Sequence, residues 1–130
     1  MVRKVLTMSI IRARKESGMG ILMSDYQVAA KRTRAYPEYG QGTIGTIAYN
    51  ALGLSGEAGE VANKVKKLIR DGDTELKRLA IKDELGDCLW YLAMLADELK
   101  YNLTEIAEEN LEKLAKRKLQ GNVKGDGDDR

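Results

Sequence analysis

Two long stretches of helical apolar spacing, separated by only three residues, constrain this chain more than any other feature. From Thr46 to Arg70, the apolar residues Ile47, Ala51, Leu54, Ala58, Val61, Val65, Leu68 and Ile69 recur at the steps of one helix face. Asp71-Gly72-Asp73 ends that helix. Thr74 is placed to cap a second long helix to about Lys100, carrying Leu76, Leu79, Ala80, Leu85, Leu89, Leu92 and Leu95. Two shorter helices are predicted around this antiparallel pair. One runs from Ser24, as N-cap, to Arg34 and stops before Pro37; the other runs from about Thr104 to Leu119. "PEYGQGTIG" reads as a loop, "GNVKGDGDDR" is too rich in Gly and Asp for regular structure, and no segment alternates as a strand. The expected fold is all-α, a four-helix bundle-type protomer with two long antiparallel helices.

These helices make a thin core for a monomer of 130 residues. The two long ones are apolar on more than one side, with Tyr49, Leu52, Trp90, Tyr91 and Met94 off the main stripes. Apolar surface beyond one stripe packs against something else, which predicts a homo-dimer or homo-tetramer. With 22 basic against 20 acidic residues the net charge is only +2, so composition gives no case for nucleic-acid binding. No apolar run reaches the length of a membrane span. The single cysteine, Cys88, forms no internal disulfide, and a cytoplasmic location is the simple reading. The absence of histidine removes Ser-His and Cys-His nucleophilic sites and the usual zinc ligand sets, so any metal must be held by oxygen.

The segment "GLSGEAGEV" is at odds with its own helix. Gly53, Gly56 and Gly59 fall at steps of three around Glu57 and Glu60, and each glycine costs about 1 kcal/mol against alanine in a helix interior. Glu57 and Glu60 share a face, and "DELGD" repeats the arrangement with Glu84 and Asp87 around Gly86. Two such pairs on antiparallel helices can point four carboxylates into one cleft, a hard oxygen set suited to Mg²⁺ or Mn²⁺. A lone ExxE is commonly an exposed pair on a solvated face. Here the flanking residues are small or apolar, and lysines appear only a turn further on, at Lys64, Lys66 and Lys67. Glycines between the carboxylates would let a neighbouring helix or a ligand approach the backbone. Tight helix packing alone explains the glycines equally well, but not the glutamates. On the last helix, Asn110, Lys113 and Arg117 fall at i, i+3 and i+7. That stripe could hold a phosphate chain, or be an ordinary charged surface.

"GLSGEAGEVANKVKK", "DELGDCLWYLAMLA" and "NLEKLAKR" together resemble the MazG-like all-α nucleoside triphosphate pyrophosphohydrolases, whose ExxE, spacer, ExxD pattern matches Glu57-Glu60 and Glu84-Asp87. The resemblance spans residues 23–130 and leaves 1–22 as a basic N-terminal extension. It implies cleavage of a (d)NTP between the α- and β-phosphates, giving a nucleoside monophosphate and pyrophosphate. Glu57, Glu60, Glu84 and Asp87 would hold Mg²⁺, with Mn²⁺ able to substitute. Asn110, Lys113, Arg117 and Lys64 would contact the phosphates. Without a histidine, Glu57 or Glu60 is the general base acting on the attacking water. Trp90 and Asn50 are candidates to face the base, for which a purine such as that of dGTP is the leaning. Trimming nucleotide pools, in a phage or a bacterium, is the natural role. The alternatives are a relative acting as a dUTPase or phosphoribosyl-ATP pyrophosphatase, or a non-catalytic helical interaction module. The cluster Arg3, Lys4, Arg12, Arg14 and Lys15 reads as a solvated basic arm rather than a nucleic-acid contact.

Overall fold

Polar side chains set where the helices begin. The computed structural model describes residue 9 and residues 11–121, of which 11–16 are helical. Arg3, Lys4 and the tail from residue 122 onward lie outside the described residues. Four helices follow, α1 (Met23–Ala30), α2 (Ile44–Asp71), α3 (Glu75–Glu98) and α4 (Leu103–Leu119), and the described residues contain no strand. Thr74 caps α3 as its sequence position predicts, accepting from the Lys77 N–H at 3.3 Å. α2 starts earlier than Thr46 because Thr43 caps it, accepting from the Thr46 N–H at 3.1 Å, so the preceding loop is shorter than "PEYGQGTIG". Asn102 does the same for α4, accepting from Thr104 N–H at 2.8 Å. Ser24 is not a cap: α1 begins at Met23 after Leu22, which offers no side-chain acceptor, and it tightens into a 3-10 turn over Lys31–Thr33 before Arg34 turns extended.

Two turns then define the path. Gly72, at φ 92°, closes the α2–α3 connection in a region that favours glycine. After α3, Lys100 takes the left-handed conformation at φ 66°, and the Lys100 and Tyr101 N–H groups donate to the Asp97 and Ala96 carbonyls at 3.0 and 2.8 Å. This is a Schellman ending with lysine where glycine is usual. The chain thereby reverses into α4.

α2 and α3 pack against each other as a hairpin, while α1 and α4 pack on α3 and on each other. The core sits at that junction: Ala30, Ala93, Met94 and Leu103, with Tyr26 and Trp90 against it. Gln27 ties it together from α1. Its amide nitrogen donates to the Ala93 and Tyr101 carbonyls, both at 3.2 Å, and its oxygen accepts from Leu103 N–H at 3.0 Å. Leu76, Leu79, Leu85, Leu89 and Leu92, expected as the apolar stripe of α3, are exposed, as are Ile44 and Leu52 on α2. One hairpin partner covers only one side of a helix that is apolar on several.

Of the glycines around the acidic pairs, Gly53 alone is explained by packing. The Tyr91 ring lies against its backbone, and a Cβ there would overlap the ring. Gly56, Gly59 and Gly86 face open space, so close approach of another described element is not their reason.

Candidate active site

The hairpin turning on Gly72 sets α2 beside α3, with Gly53 against the Tyr91 ring. Single carboxylate oxygens of Glu57, Glu84 and Asp87 accordingly lie within 4.8 Å of one another. Glu57 and Glu84 are half-buried and Asp87 is exposed. The Glu57 carboxyl is pushed above its usual range, first by desolvation, then by the charges of Asp87 and Glu84, a hydrogen bond with Glu84, and the charge of Glu60. Glu60 itself is exposed and outside this group of three. Three acidic oxygens that converge without an intervening cation repel each other. As hard donors at this spacing, they fit a divalent ion such as Mg²⁺ or Mn²⁺.

Lys64 forms a salt bridge to this group, its Nζ lying 3.0 Å from Glu84 Oε1. That hydrogen bond, followed by the Glu84 charge, raises the lysine's pKa. Expected as a phosphate contact, Lys64 here neutralises a carboxylate.

The group opens onto a cleft of about 350 Å³ lined by Thr33, Glu57, Asp87, Trp90 and Tyr91. The indole of Trp90 donates from Nε1 to Thr33 Oγ1 at 2.8 Å and meets Tyr91 edge-on, with ring centroids 5.0 Å apart. Burial, then the Tyr49, Glu57 and Asp87 groups, push the Tyr91 hydroxyl up. Of the two residues proposed to face a base, Trp90 lies on the cleft wall. Asn50 does not: it is 0% exposed, and its amide nitrogen donates to the Thr46 carbonyl at 2.8 Å.

The helix-four stripe is divided. Asn110 and Lys113 line a separate cleft of about 320 Å³ with Ile106 and Glu109, whereas Arg117 is buried. None of the three lines the cleft beside the carboxylates. Sequence reasoning passed over Thr33, Tyr36 and Glu98. Glu98 left one signal, since it stands four and eight residues after Met94 and Trp90, an acid on the face that carries the core.

The family model described as the MazG nucleotide pyrophosphohydrolase domain matches residues 46–121. The chain belongs to the MazG family. The Gene 37 protein of Mycobacterium phage L5 is 46% identical over 109 residues, which cover 81% of this chain and 96% of that protein. No solved structure matches. The MazG match contains α3, α4, nearly all of α2 and every residue of the acidic group. Thr33 and Tyr36 lie before it. Membership makes the chain a nucleotide pyrophosphohydrolase in general terms and a hydrolase of nucleoside triphosphates. No helix among the described residues is long and apolar enough to cross a membrane.

Proposed function

We propose that this MazG protein cleaves (d)NTPs between the α- and β-phosphates in the presence of Mg²⁺, releasing (d)NMP and pyrophosphate, and so trims nucleotide pools. The observation that carries the reading is the convergence of Glu57, Glu84 and Asp87 at the mouth of an aromatic-walled cleft. Those three residues, with Glu60 beside Glu57, hold the metal. A divalent ion held there would offset the repulsion between carboxylates and triphosphate and would supply the acidification of the attacking water. Glu57, which lines the cleft, is placed to take the proton from the attacking water. Trp90 and Tyr91 give the base two ring edges and faces to stack on, which favours the larger purine surface. Lys64 is close enough to the acidic group to meet a phosphate. Phosphate roles for Asn110, Lys113 and Arg117 rest on the resemblance to the family.

The test is release of pyrophosphate from a panel of ribo- and deoxynucleoside triphosphates with Mg²⁺, Mn²⁺ or EDTA. Pyrophosphate and monophosphate should appear with either metal and stop in EDTA, with dGTP among the better substrates. Release of orthophosphate, or turnover unaffected by EDTA, would contradict the reading.

The protomer acts as part of a homo-dimer or homo-tetramer. Ile44, Leu52, Leu85, Leu89 and Leu92 leave more apolar surface exposed than a small soluble monomer carries. Light scattering at micromolar concentration should give twice or four times the protomer mass. A monomer there would leave those residues without a role in assembly.

A further inference from the structure

Glu98 is the most buried ionisable side chain among the described residues, at 1% exposure, and it accepts hydrogen bonds from neutral groups. The Tyr36 hydroxyl donates to its Oε1 at 2.6 Å, Gly40 N–H to the same oxygen at 2.6 Å, and Gly42 N–H to Oε2 at 2.8 Å. The nearby cations are engaged elsewhere: Lys31 and Arg34 both hold Asp97 at 2.7 Å, and Lys100 donates to the Gly40 carbonyl at 2.9 Å. The strap of residues 34–43 therefore closes on a single carboxylate at the end of α3. The site is built to fit. Gly42 has φ 65°, and a Cβ there would come within 2.8 Å of the Glu98 carbonyl oxygen.

The strap also reaches the cleft. Tyr36 is buried, stacks on Tyr49 with centroids 5.0 Å apart, and meets the Trp90 ring edge-on at 6.4 Å. Thr33, just before the strap, accepts from the indole N–H and donates its own hydroxyl to the Ala30 carbonyl at 2.7 Å. Trp90 is thus gripped at its nitrogen by Thr33 and on its ring by Tyr36, while Tyr36 is tied down by Glu98.

We propose that Glu98 is a positioning residue for the nucleotide cleft: by anchoring the strap through Tyr36, Gly40 and Gly42, it fixes the Trp90 indole that forms the cleft wall. The proposal builds on the reading of that cleft as the nucleotide site. In Glu98→Gln, an NH₂ group replaces one acceptor oxygen and opposes an N–H or O–H donor, so the strap loses its anchor at one end.

Trp90 is the only tryptophan in the chain, so its emission reports the wall directly. Glu98→Gln should shift that emission to the red and make it more open to acrylamide quenching. It should raise KM for the nucleotide about tenfold with kcat changed less than about twofold, the pattern of lost ground-state binding. The Mg²⁺ concentration for half-maximal rate should not move, because no acidic ligand is touched. Tyr36→Phe keeps the ring and loses only the hydroxyl, and it should show the same changes to a smaller extent. It carries the test if Glu98→Gln does not fold. Wild-type emission and KM in the variant that folds overturn the proposal, as does a fall in kcat at unchanged KM. If the wild-type protein hydrolyses no nucleotide, the catalytic reading has failed, and emission and quenching alone decide the role of Glu98.

Discussion

Asp87→Asn and Glu57→Gln are each expected to lower kcat by about 10²- to 10³-fold while the protein stays folded, the scale seen when one electrostatic stabiliser of a transition state is removed. Both side chains line the cleft and give an oxygen to the same three-residue group. An amide keeps the size of the carboxyl but loses its charge, and an acidic group short of one ligand holds an ion less firmly against a triphosphate. The fold should survive. Asp87 is exposed, and Glu57 suffers repulsion from Asp87, Glu84 and Glu60 that an amide would relieve. Glu57→Gln should therefore melt at the wild-type temperature or above it when both are measured in EDTA. Steady-state rates at saturating Mg²⁺ and thermal melts check the two halves of the expectation. Retention of more than about a tenth of wild-type kcat by either variant would show that the acidic group is not the site, because the loss of a ligand is too large to leave so much.

The acidic group was legible in the sequence because everything that positions it is local. The i, i+3 spacings of Glu57-Glu60 and Glu84-Asp87 fix their helix faces, and the turn on Gly72 fixes which residues of α2 and α3 stand opposite. Long periodic helices joined by a tight turn leave little freedom for tertiary effects to change that register. Thr74 was readable as a cap for the same reason. Glu98 and the strap were not. Its donors are a tyrosine and two backbone N–H groups far away in sequence, and backbone groups of a Gly-rich loop carry no side-chain code. Asn50 shows the same limit in reverse: a candidate in the sequence to face the base, it is fully buried, with its amide nitrogen bonded to the Thr46 carbonyl. The glycine pattern was half legible. Gly53 is needed by Tyr91, yet Gly56, Gly59 and Gly86 have no described neighbour to account for them. The leucines of α3 mark an apolar helix in the sequence, yet Leu76, Leu79, Leu85, Leu89 and Leu92 are exposed in the protomer, because one hairpin partner covers only one side of that helix.

Acid should remove about 3 kcal/mol of stability between pH 4.5 and pH 2 through Glu98 alone. Burial pushes this carboxyl up, but the hydrogen bonds from Tyr36, Gly40 and Gly42 outweigh it and hold the pKa at about 2, against 4.5 for an unperturbed glutamate. A folded-state pKa below the unfolded one means that the unfolded chain binds the extra proton. The stabilisation is therefore complete above pH 4.5 and lost as the pH falls toward 2, at up to about 1.4 kcal/mol per pH unit for one group. Glu57 works in the opposite sense, because its folded pKa is raised. In the metal-free protein its contribution is favourable below its unfolded pKa and is lost as the pH rises through the folded value. The two together predict a stability maximum in mildly acidic solution, with Glu98 shaping the acid limb and Glu57 the other side. Urea unfolding in EDTA at a series of pH values measures both. Tyr36→Phe removes one of the bonds that hold Glu98 ionised, and so should flatten the acid limb, whereas Glu57→Gln should leave that limb alone and remove the decline above the maximum. General acid denaturation would lower every variant alike. An acid limb of unchanged slope in Tyr36→Phe would mean that the buried carboxylate is not what that limb reports.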